Sequence, residues 1–208
     1  MPTAASSYYQ QQQQRADLLQ AAKAFCASFA EKKKTPEEIV DEHFSSSPPA
    51  EQEDGKEEEE KEEEILAYEH GLPQLAPFLG RPFRGREGVL RYFRTLAECL
   101  SYEGMRFPAA ASACDDQAED EGESVGDGKR DGDKGWIIDI AARKVSVKGQ
   151  ARFTWTATGE SWDEVFAYVL TFDDGEVPKV KRYEVWADTG AAWLASRGEL
   201  GNVRGGEG

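Results

Sequence analysis

Apolar residues recur every three or four positions in three stretches of the chain, which is the spacing that buries one face of a helix. The first stretch predicts a helix over about 15–33, and the third predicts one over about 86–100. The second begins at Thr35-Pro36-Glu37-Glu38, where a threonine N-cap, a proline in the first turn and a glutamate complete a capping box. Three helices are therefore expected in the first half of the chain.

Beyond residue 136 the pattern changes to alternating apolar and polar positions, which predicts strands with one buried face. Strands are expected at about 136–140, 145–157, 162–172 and 180–187, after a short one at about 101–107. A two-residue turn at Gly159-Glu160 and a longer turn near 173–175 would join the last three strands as antiparallel hairpins. Asp188 or Thr189 then caps a short helix that ends at Gly198.

The two hairpins decide which side chains share the buried face of the sheet, because turn length fixes strand register. The first turn pairs Trp155 with Glu164 and leaves this face almost wholly apolar. In the second hairpin, a register with an even pairing sum adds Arg182, Glu184 and Trp186 to the same face. Glycine at position 149, inside a long strand, indicates a bend or bulge. A bent sheet covered by three helices would enclose a cone-shaped cavity.

Two acidic segments interrupt this pattern and carry nearly all of the formal net charge of −15. Residues 50–64 contain ten acidic and two basic residues, and residues 109–135 contain nine acidic and three basic residues. Segments this polar bury too little apolar surface to offset the entropy lost on ordering. Disordered acidic insertions are therefore expected over 45–64 and 109–135.

The predicted architecture is a single α+β domain, in which three N-terminal helices pack on a strongly curved antiparallel sheet around a cone-shaped pocket. The domain covers 15–198 and is interrupted by the two acidic insertions. A disordered, glutamine-rich tail is expected over 1–14, and a second disordered tail over 199–208.

The composition argues against several classes of function. No segment offers the dense basic patch that nucleic-acid binding requires, and no stretch approaches the ~20 apolar residues that span a bilayer. No signal peptide is visible, so a cytoplasmic location is expected, with the nucleus as an alternative. Cys26, Cys99 and Cys114 lack the spacing of a metal site, and no nucleotide-binding or zinc-protease motif is present. Neither a cofactor nor a metal is therefore expected.

Four side chains are candidates for catalysis. Glu164, among aromatic residues on the buried face, would lose hydration, and its pKa would rise toward the range useful in acid–base catalysis. Arg182 and Glu184 would share that face with Glu164 as an acid–arginine–acid set, for which a structural ion pair is the alternative. His70, beside Tyr68 where the chain enters a loop, could act as a base at the pocket mouth.

The order of helices and strands resembles the nuclear transport factor 2-like (NTF2-like) superfamily, and its SnoaL-like branch in particular. The segments that carry the likeness are Tyr68-Glu69-His70-Gly71, 85–93, 161–166 and 182–190. The resemblance implies a cone-shaped fold and a homodimer formed through the outer face of the sheet. The acid–arginine–acid set is similar to the arrangement by which epoxide hydrolases of this superfamily hold a water, although those enzymes use aspartates.

Three functions are compatible with these features, because the superfamily includes isomerases, cyclases, dehydratases, epoxide hydrolases and non-enzymatic domains. The first is a pocket that binds a small apolar molecule. The second is a cofactor-free enzyme of one of those types, using Glu164 as acid or base. The third is a protein-binding adaptor, which needs an exposed apolar patch. The residues expected to contact a ligand are Tyr68, Trp155, Trp162, Phe166, Tyr168 and Trp186.

Overall fold

The computed structural model describes residues 4–46, 64–108 and 134–204. The helices are α1 (Ala4–Glu31), α2 (Pro36–His43), α3 (Gly85–Cys99), α4 (Thr189–Arg197) and α5 (Leu200–Arg204). The strands are β1 (Leu66–Glu69), β2 (Phe83–Arg84), β3 (Leu100–Arg106), β4 (Trp136–Asp139), β5 (Lys144–Trp155), β6 (Ser161–Phe172) and β7 (Val180–Trp186). The acidic insertions predicted over 45–64 and 109–135 lie almost wholly outside the described residues, so their disorder stays a prediction.

One seven-stranded sheet forms the body of the protein. The strand order is β2-β1-β7-β6-β5-β3, and β4 pairs with the part of β5 that lies beyond β3. All neighbouring strands are antiparallel except β1 and β7, which run parallel. The predicted α+β class is confirmed, with one parallel pair added to the predicted antiparallel sheet. The strands β1 and β2 lie where the sequence predicts an apolar segment and a loop.

The hairpin of β5 and β6 buries the predicted side chains, although its register differs from the predicted one. Ala151, rather than Trp155, lies opposite Glu164. The predicted two-residue turn is wrong, because the Gly159 N–H and the Glu160 carbonyl both bond to the backbone of Trp155 in a longer loop. The displacement is four residues along β5, and an even displacement keeps the same side chains on the same face.

The hairpin of β6 and β7 departs from the prediction in a way that changes the site. Tyr168 lies opposite Val185, and the register shifts between Thr171 and Phe172 at a bulge. A bulge adds one residue on one strand, so inward and outward positions exchange beyond it. Tyr183 and Val185 are therefore buried. The side chains wrongly predicted to point inward are Arg182, Glu184 and Trp186.

Both ends of the described chain are more helical than predicted. The helix α1 includes residues 4–14, which were expected to form a disordered tail. The helix α5 occupies 200–204, inside the segment expected as the second tail. Asp188 caps α4 with its side chain, and Gly198 ends that helix in the left-handed conformation, so both of these predictions are confirmed.

The helices α1, α2 and α3 pack against the buried face of the sheet. Phe25 of α1 is fully buried, and its ring contacts those of Phe44 and Tyr183. Between α1 and α2, the Ser28 hydroxyl lies 2.8 Å from Nε2 of His43. Burial lowers the pKa of His43, so this histidine joins the two helices as a neutral side chain.

Gly149 of β5 permits a close approach of aromatic side chains. A Cβ atom at this position would lie 2.5 Å from the ring of Phe166 and 2.7 Å from that of Phe107. Opposite this part of β5, the register of β3 shifts between Glu103 and Arg106. The irregularity predicted at Gly149 therefore occurs on the neighbouring strand, and the glycine is needed for packing.

Candidate functional site

A small cavity lies between the buried face of the sheet and the helices α3 and α4. Its volume is about 60 Å³, which is more than a single water molecule needs. The aromatic side chains that line it are Phe78, Tyr92, Phe153, Trp162, Phe166, Tyr168 and Tyr183. The core of the domain therefore contains a nearly filled, aromatic cavity rather than a wide pocket.

Part of the predicted site lies at this cavity. The predicted residues that line it are Trp162, Glu164, Phe166 and Tyr168. Trp155 is buried on the same face of the sheet, where its ring lies 6.4 Å from that of Phe78, but it does not line the cavity.

The other five predicted residues gather on the outer face of the sheet. Tyr68 of β1 lies beside Glu184 of β7 in parallel register. The ring of His70 stacks on Trp186 with centroids 3.9 Å apart, and its Nε2 lies 3.5 Å from Oε1 of Glu184. Arg182 approaches the same carboxylate to 3.7 Å. The acid–arginine–acid set predicted for the pocket is therefore not formed, and Arg182 and Glu184 instead approach each other on the outer face.

Glu69 is a cavity carboxylate that the sequence reasoning missed. It ends β1, is only 6% exposed, and its Oε2 accepts a hydrogen bond of 2.7 Å from the Tyr92 hydroxyl. Burial and the nearby charge of Glu164 raise the pKa of Glu69 to about 7, against the opposing effect of the Tyr92 hydrogen bond. At neutral pH about half of the molecules therefore carry a proton on Glu69.

Glu164 is the second carboxylate at the cavity, and each of its oxygens accepts a hydrogen bond from an N–H group. Its Oε2 accepts a hydrogen bond of 2.6 Å from Nε1 of Trp162, and its Oε1 accepts one from the backbone N–H of Asp188. Burial raises the pKa of Glu164, and the two N–H donors oppose that rise because they stabilise the ionised form. The negative charge of Glu164 in turn contributes to the raised pKa of Glu69.

Three buried tyrosines extend from Glu69 along the cavity wall. The ring of Tyr183 meets that of Tyr92 edge to face, with centroids 6.0 Å apart. The rings of Tyr168 and Tyr183 meet edge to face with centroids 4.9 Å apart. Burial raises the pKa of all three tyrosines well above the usual value. They remain protonated at neutral pH and can donate hydrogen bonds to a bound molecule.

Strand alternation could have located Glu69. Ile65 and Ala67 are apolar and buried, and residues two and four positions further along a strand share their face. The prolines and glycines that follow at 71–82 indicate a loop, and they obscure this alternation in the sequence. Tyr92 lies next to the apolar stripe of α3, three residues after Val89. Nothing in the sequence distinguishes it from an ordinary core tyrosine.

Metal binding and membrane spanning receive no support from the described residues. No group of three or more His, Cys, Asp or Glu side chains in this part of the chain is placed to hold a metal ion. None of the described helices combines the length and apolar character needed to cross a membrane. Cys26 is buried and Cys99 packs against the core, as predicted, and Cys114 lies outside the described ranges.

Several solved structures are similar to this chain. An NTF2-like protein from Burkholderia xenovorans LB400 aligns over 87% of this chain and 96% of its own, with a TM-score of 0.52 and 14% identity. A Bacillus subtilis protein proposed to be an isomerase aligns over 89% and 96%, with a TM-score of 0.55 and 12% identity. The BvnE pinacolase from Penicillium brevicompactum aligns over 91% and 94%, with a TM-score of 0.50 and 15% identity. No family model matches the sequence, and no curated protein matches it.

These similarities define the fold. The chain has an NTF2-like fold, which confirms the predicted resemblance at the level of the fold. Identities of 12–15% do not transfer the role of any residue. The function must therefore be argued from Glu69, Glu164 and the cavity between them.

Proposed function

We propose that the protein is a cofactor-free enzyme that moves a proton on a small, largely apolar substrate, with Glu69 as the proton donor or acceptor. The observation that supports this most is a carboxylate 6% exposed, at the wall of an aromatic cavity, with a pKa of about 7. General acid–base catalysis is most effective when the pKa of the catalytic group lies near the working pH. Isomerisation, cyclisation and dehydration are reactions of this kind.

The neighbours of Glu69 each have a part in the proposed mechanism. The negative charge of Glu164 favours the protonated form of Glu69. The hydroxyl of Tyr92 orients the Glu69 carboxylate through its hydrogen bond. The aromatic side chains exclude water, which strengthens these electrostatic effects. The acid–base role predicted for Glu164 is thus assigned to Glu69, and Glu164 modulates its pKa.

The size of the cavity limits the substrate. Ligand pockets usually enclose about 300–1,000 Å³, whereas this cavity encloses about 60 Å³. Only a molecule of a few non-hydrogen atoms fits without displacement of Leu96, Leu100 or the start of α4, which border it. The similar proteins named as a pinacolase and proposed as an isomerase are compatible with this proposal, although they share only the fold.

We expect Glu69 to titrate near pH 7, because burial and the charge of Glu164 both favour its protonated form. The measurement is carboxyl-carbon NMR of protein labelled with ¹³C-glutamate, with the Glu69 signal assigned by its loss in Glu69→Gln. A midpoint close to the ordinary value of 4.5 would contradict the proposed role.

Proton transfer itself is tested in deuterium oxide with a panel of small ketones, unsaturated alcohols and amines. Incorporation of deuterium into carbon is expected to fall at least ~100-fold in Glu69→Gln. The matched control is Glu184→Gln, which changes a carboxylate on the outer face of β7 and should retain the wild-type rate.

A binding domain without catalysis is the second candidate, and it is favoured because both Glu164 oxygens already accept hydrogen bonds from N–H donors. This alternative would be supported by a compound of the panel that raises the midpoint of thermal unfolding but incorporates no deuterium, together with an ordinary pKa for Glu69. The adaptor hypothesis stays a prediction, based on the exposed side chains of Val165 and Trp186.

We also propose a homodimer formed through the outer face of the sheet, where Val165 of β6 is 64% exposed. Val165→Asp is expected to halve the mass measured by light scattering, because it would bury a carboxylate in the interface. Val177→Asp is the control, since Val177 is 70% exposed in the connection between β6 and β7 and should leave the mass unchanged. A monomeric wild-type protein contradicts the proposal.

A further inference from the structure

We propose that the cavity selects organic cations, and that its substrate carries a small ammonium group. This inference rests on the proposed function, because it assigns a substrate class to the same cavity. The acidic residues that line the cavity are Glu69, Glu164 and Asp188. None of the lining residues in the described part of the chain is a lysine, an arginine or a histidine.

The negative charge of the cavity is not neutralised by a protein cation. The groups that bond to Glu164 are the indole N–H of Trp162 and the backbone N–H of Asp188, and both are uncharged. The partner of Glu69 is the uncharged hydroxyl of Tyr92. In a cavity of low dielectric constant, a carboxylate charge lowers the free energy of a bound cation and raises that of a bound anion. A carboxylate would therefore be repelled.

Glu69 offers a direct contact to an ammonium group. Its Oε2 is occupied by Tyr92, and no described residue donates a hydrogen bond to its Oε1. The side chain is more than nine-tenths buried and lines the cavity, so an ammonium N–H inside could donate to Oε1.

The aromatic walls favour the same class of ligand. The ring faces of an aromatic cavity attract cations through their quadrupole, and this attraction is stronger when the cation is desolvated. Trp162, Phe166 and Tyr168 line the cavity beside the two glutamates. A carboxylate combined with aromatic rings recognises an alkylammonium group through its charge and its methyl surface together.

The affinity for a cation is expected to depend on pH through Glu69. The groups that face Glu69 are Tyr92 of α3, Glu164 and Tyr168 of β6, and Tyr183 of β7, with Asp188 beyond Glu164. The three tyrosines stay protonated at neutral pH because burial raises their pKa values. Since the pKa of Glu69 is about 7, its ionised fraction rises about tenfold from pH 6 to pH 8.

The test compares three probes that match the small cavity: methylammonium, its uncharged analogue methanol, and the anion formate. Each is titrated into the full-length ¹⁵N-labelled protein at pH 8, with sodium chloride as the control for ionic strength. The indole Nε1–H signal of Trp162, assigned by its loss in Trp162→Phe, reports directly on the cavity. We expect methylammonium alone to shift this signal to saturation, with a dissociation constant in the millimolar range because so small a ligand makes few contacts.

Two further comparisons connect binding with Glu69. The dissociation constant for methylammonium should be about tenfold larger at pH 6 than at pH 8, because cation binding is linked to the ionisation of Glu69. Glu69→Gln should weaken binding at pH 8 at least about tenfold, whereas Glu184→Gln on the outer face should leave it unchanged.

The outcomes separate this inference from the proposed function. If no probe shifts the Trp162 signal, or if methanol or formate binds as tightly as methylammonium, selectivity for cations is overturned. In that case, a Glu69 titration near pH 7 would leave the acid–base function standing. If Glu69 titrates near 4.5, the proposed function is lost, and binding of methylammonium would then identify a cation-binding domain without catalysis.

Discussion

Glu69→Gln is expected to stabilise the folded protein at pH 8 by on the order of 3 kcal/mol. The magnitude follows from the rise in the pKa of Glu69 from 4.5 to about 7, at ~1.4 kcal/mol for each unit. An ionised carboxylate in an aromatic cavity beside Glu164 is unfavourable, and glutamine removes that charge. Glutamine can still accept the hydrogen bond from Tyr92, so the substitution does not leave an unpaired hydroxyl.

The direction of the pH dependence follows from the higher proton affinity of the native state. A proton on Glu69 stabilises the folded protein fully below the unfolded pKa of 4.5, and this stabilisation is lost as the pH rises through the folded pKa of about 7. The free energy of unfolding of the wild type should therefore decrease as the pH rises from 4.5 to about 7. The variant lacks this contribution, so the difference between the two proteins should be largest above pH 7.

Urea unfolding at pH 5 and pH 8 measures the effect in wild type, Glu69→Gln and Glu184→Gln. The advantage of Glu69→Gln over wild type should grow from pH 5 to pH 8, and Glu184→Gln should show no such growth. An advantage that is absent at pH 8 would mean that Glu69 is solvated in the folded protein. A residue that destabilises the fold at neutral pH and supports proton transfer is typical of a functional site.

The sequence predicts the elements that depend on neighbouring residues. The capping box of Thr35 and Glu38 is present at the start of α2, with both of its hydrogen bonds. The buried face of β5 and β6 was also predicted, because alternation within each strand survives an even displacement of the register. The buried face does not depend on the length of the turn, so it was predicted correctly although the turn at Gly159-Glu160 was wrong.

The bulge between Thr171 and Phe172 could not be derived from the length of the turn. One extra residue reverses the faces of β7, so counting from the turn placed Arg182 and Glu184 inward. The charge of Arg182 and Glu184 indicates that they lie on the exposed face, because charged residues are rarely buried without a partner. Burial preference alone places Tyr183 on the inner face, as the structure has it.

The environment of Glu69 depends on contacts between distant parts of the chain. The strand β1 is four residues long and pairs in parallel with β7, which lies more than a hundred residues further on. The pKa of Glu69, at the end of β1, depends on Glu164 of β6 and Tyr92 of α3. Propensity and periodicity describe local structure, so a site assembled from three elements needs the tertiary structure.

Phe25→Ala is expected to destabilise the protein by about 3–5 kcal/mol, the usual cost of removing a phenylalanine ring from a closed core. Phe25 is fully buried, with ring centroids 5.1 Å from both Phe29 and Tyr183 and 5.8 Å from Phe44. These partners belong to α1, to the sheet and to the end of α2. Neighbours held by three parts of the fold cannot collapse into the space, so the cost of the empty volume adds to the lost burial.

The control for Phe25→Ala is Tyr9→Ala on the same helix, because Tyr9 is 72% exposed and its loss should change stability by less than about 0.5 kcal/mol. Urea unfolding of both variants measures the difference. A cost below about 1 kcal/mol for Phe25→Ala would contradict the packing of α1 on the sheet. Because Phe25 contacts Tyr183, whose ring packs against that of Tyr92, a void at Phe25 should also loosen the support of Glu69. The stability of the core and the geometry of the site therefore depend on the same aromatic contacts.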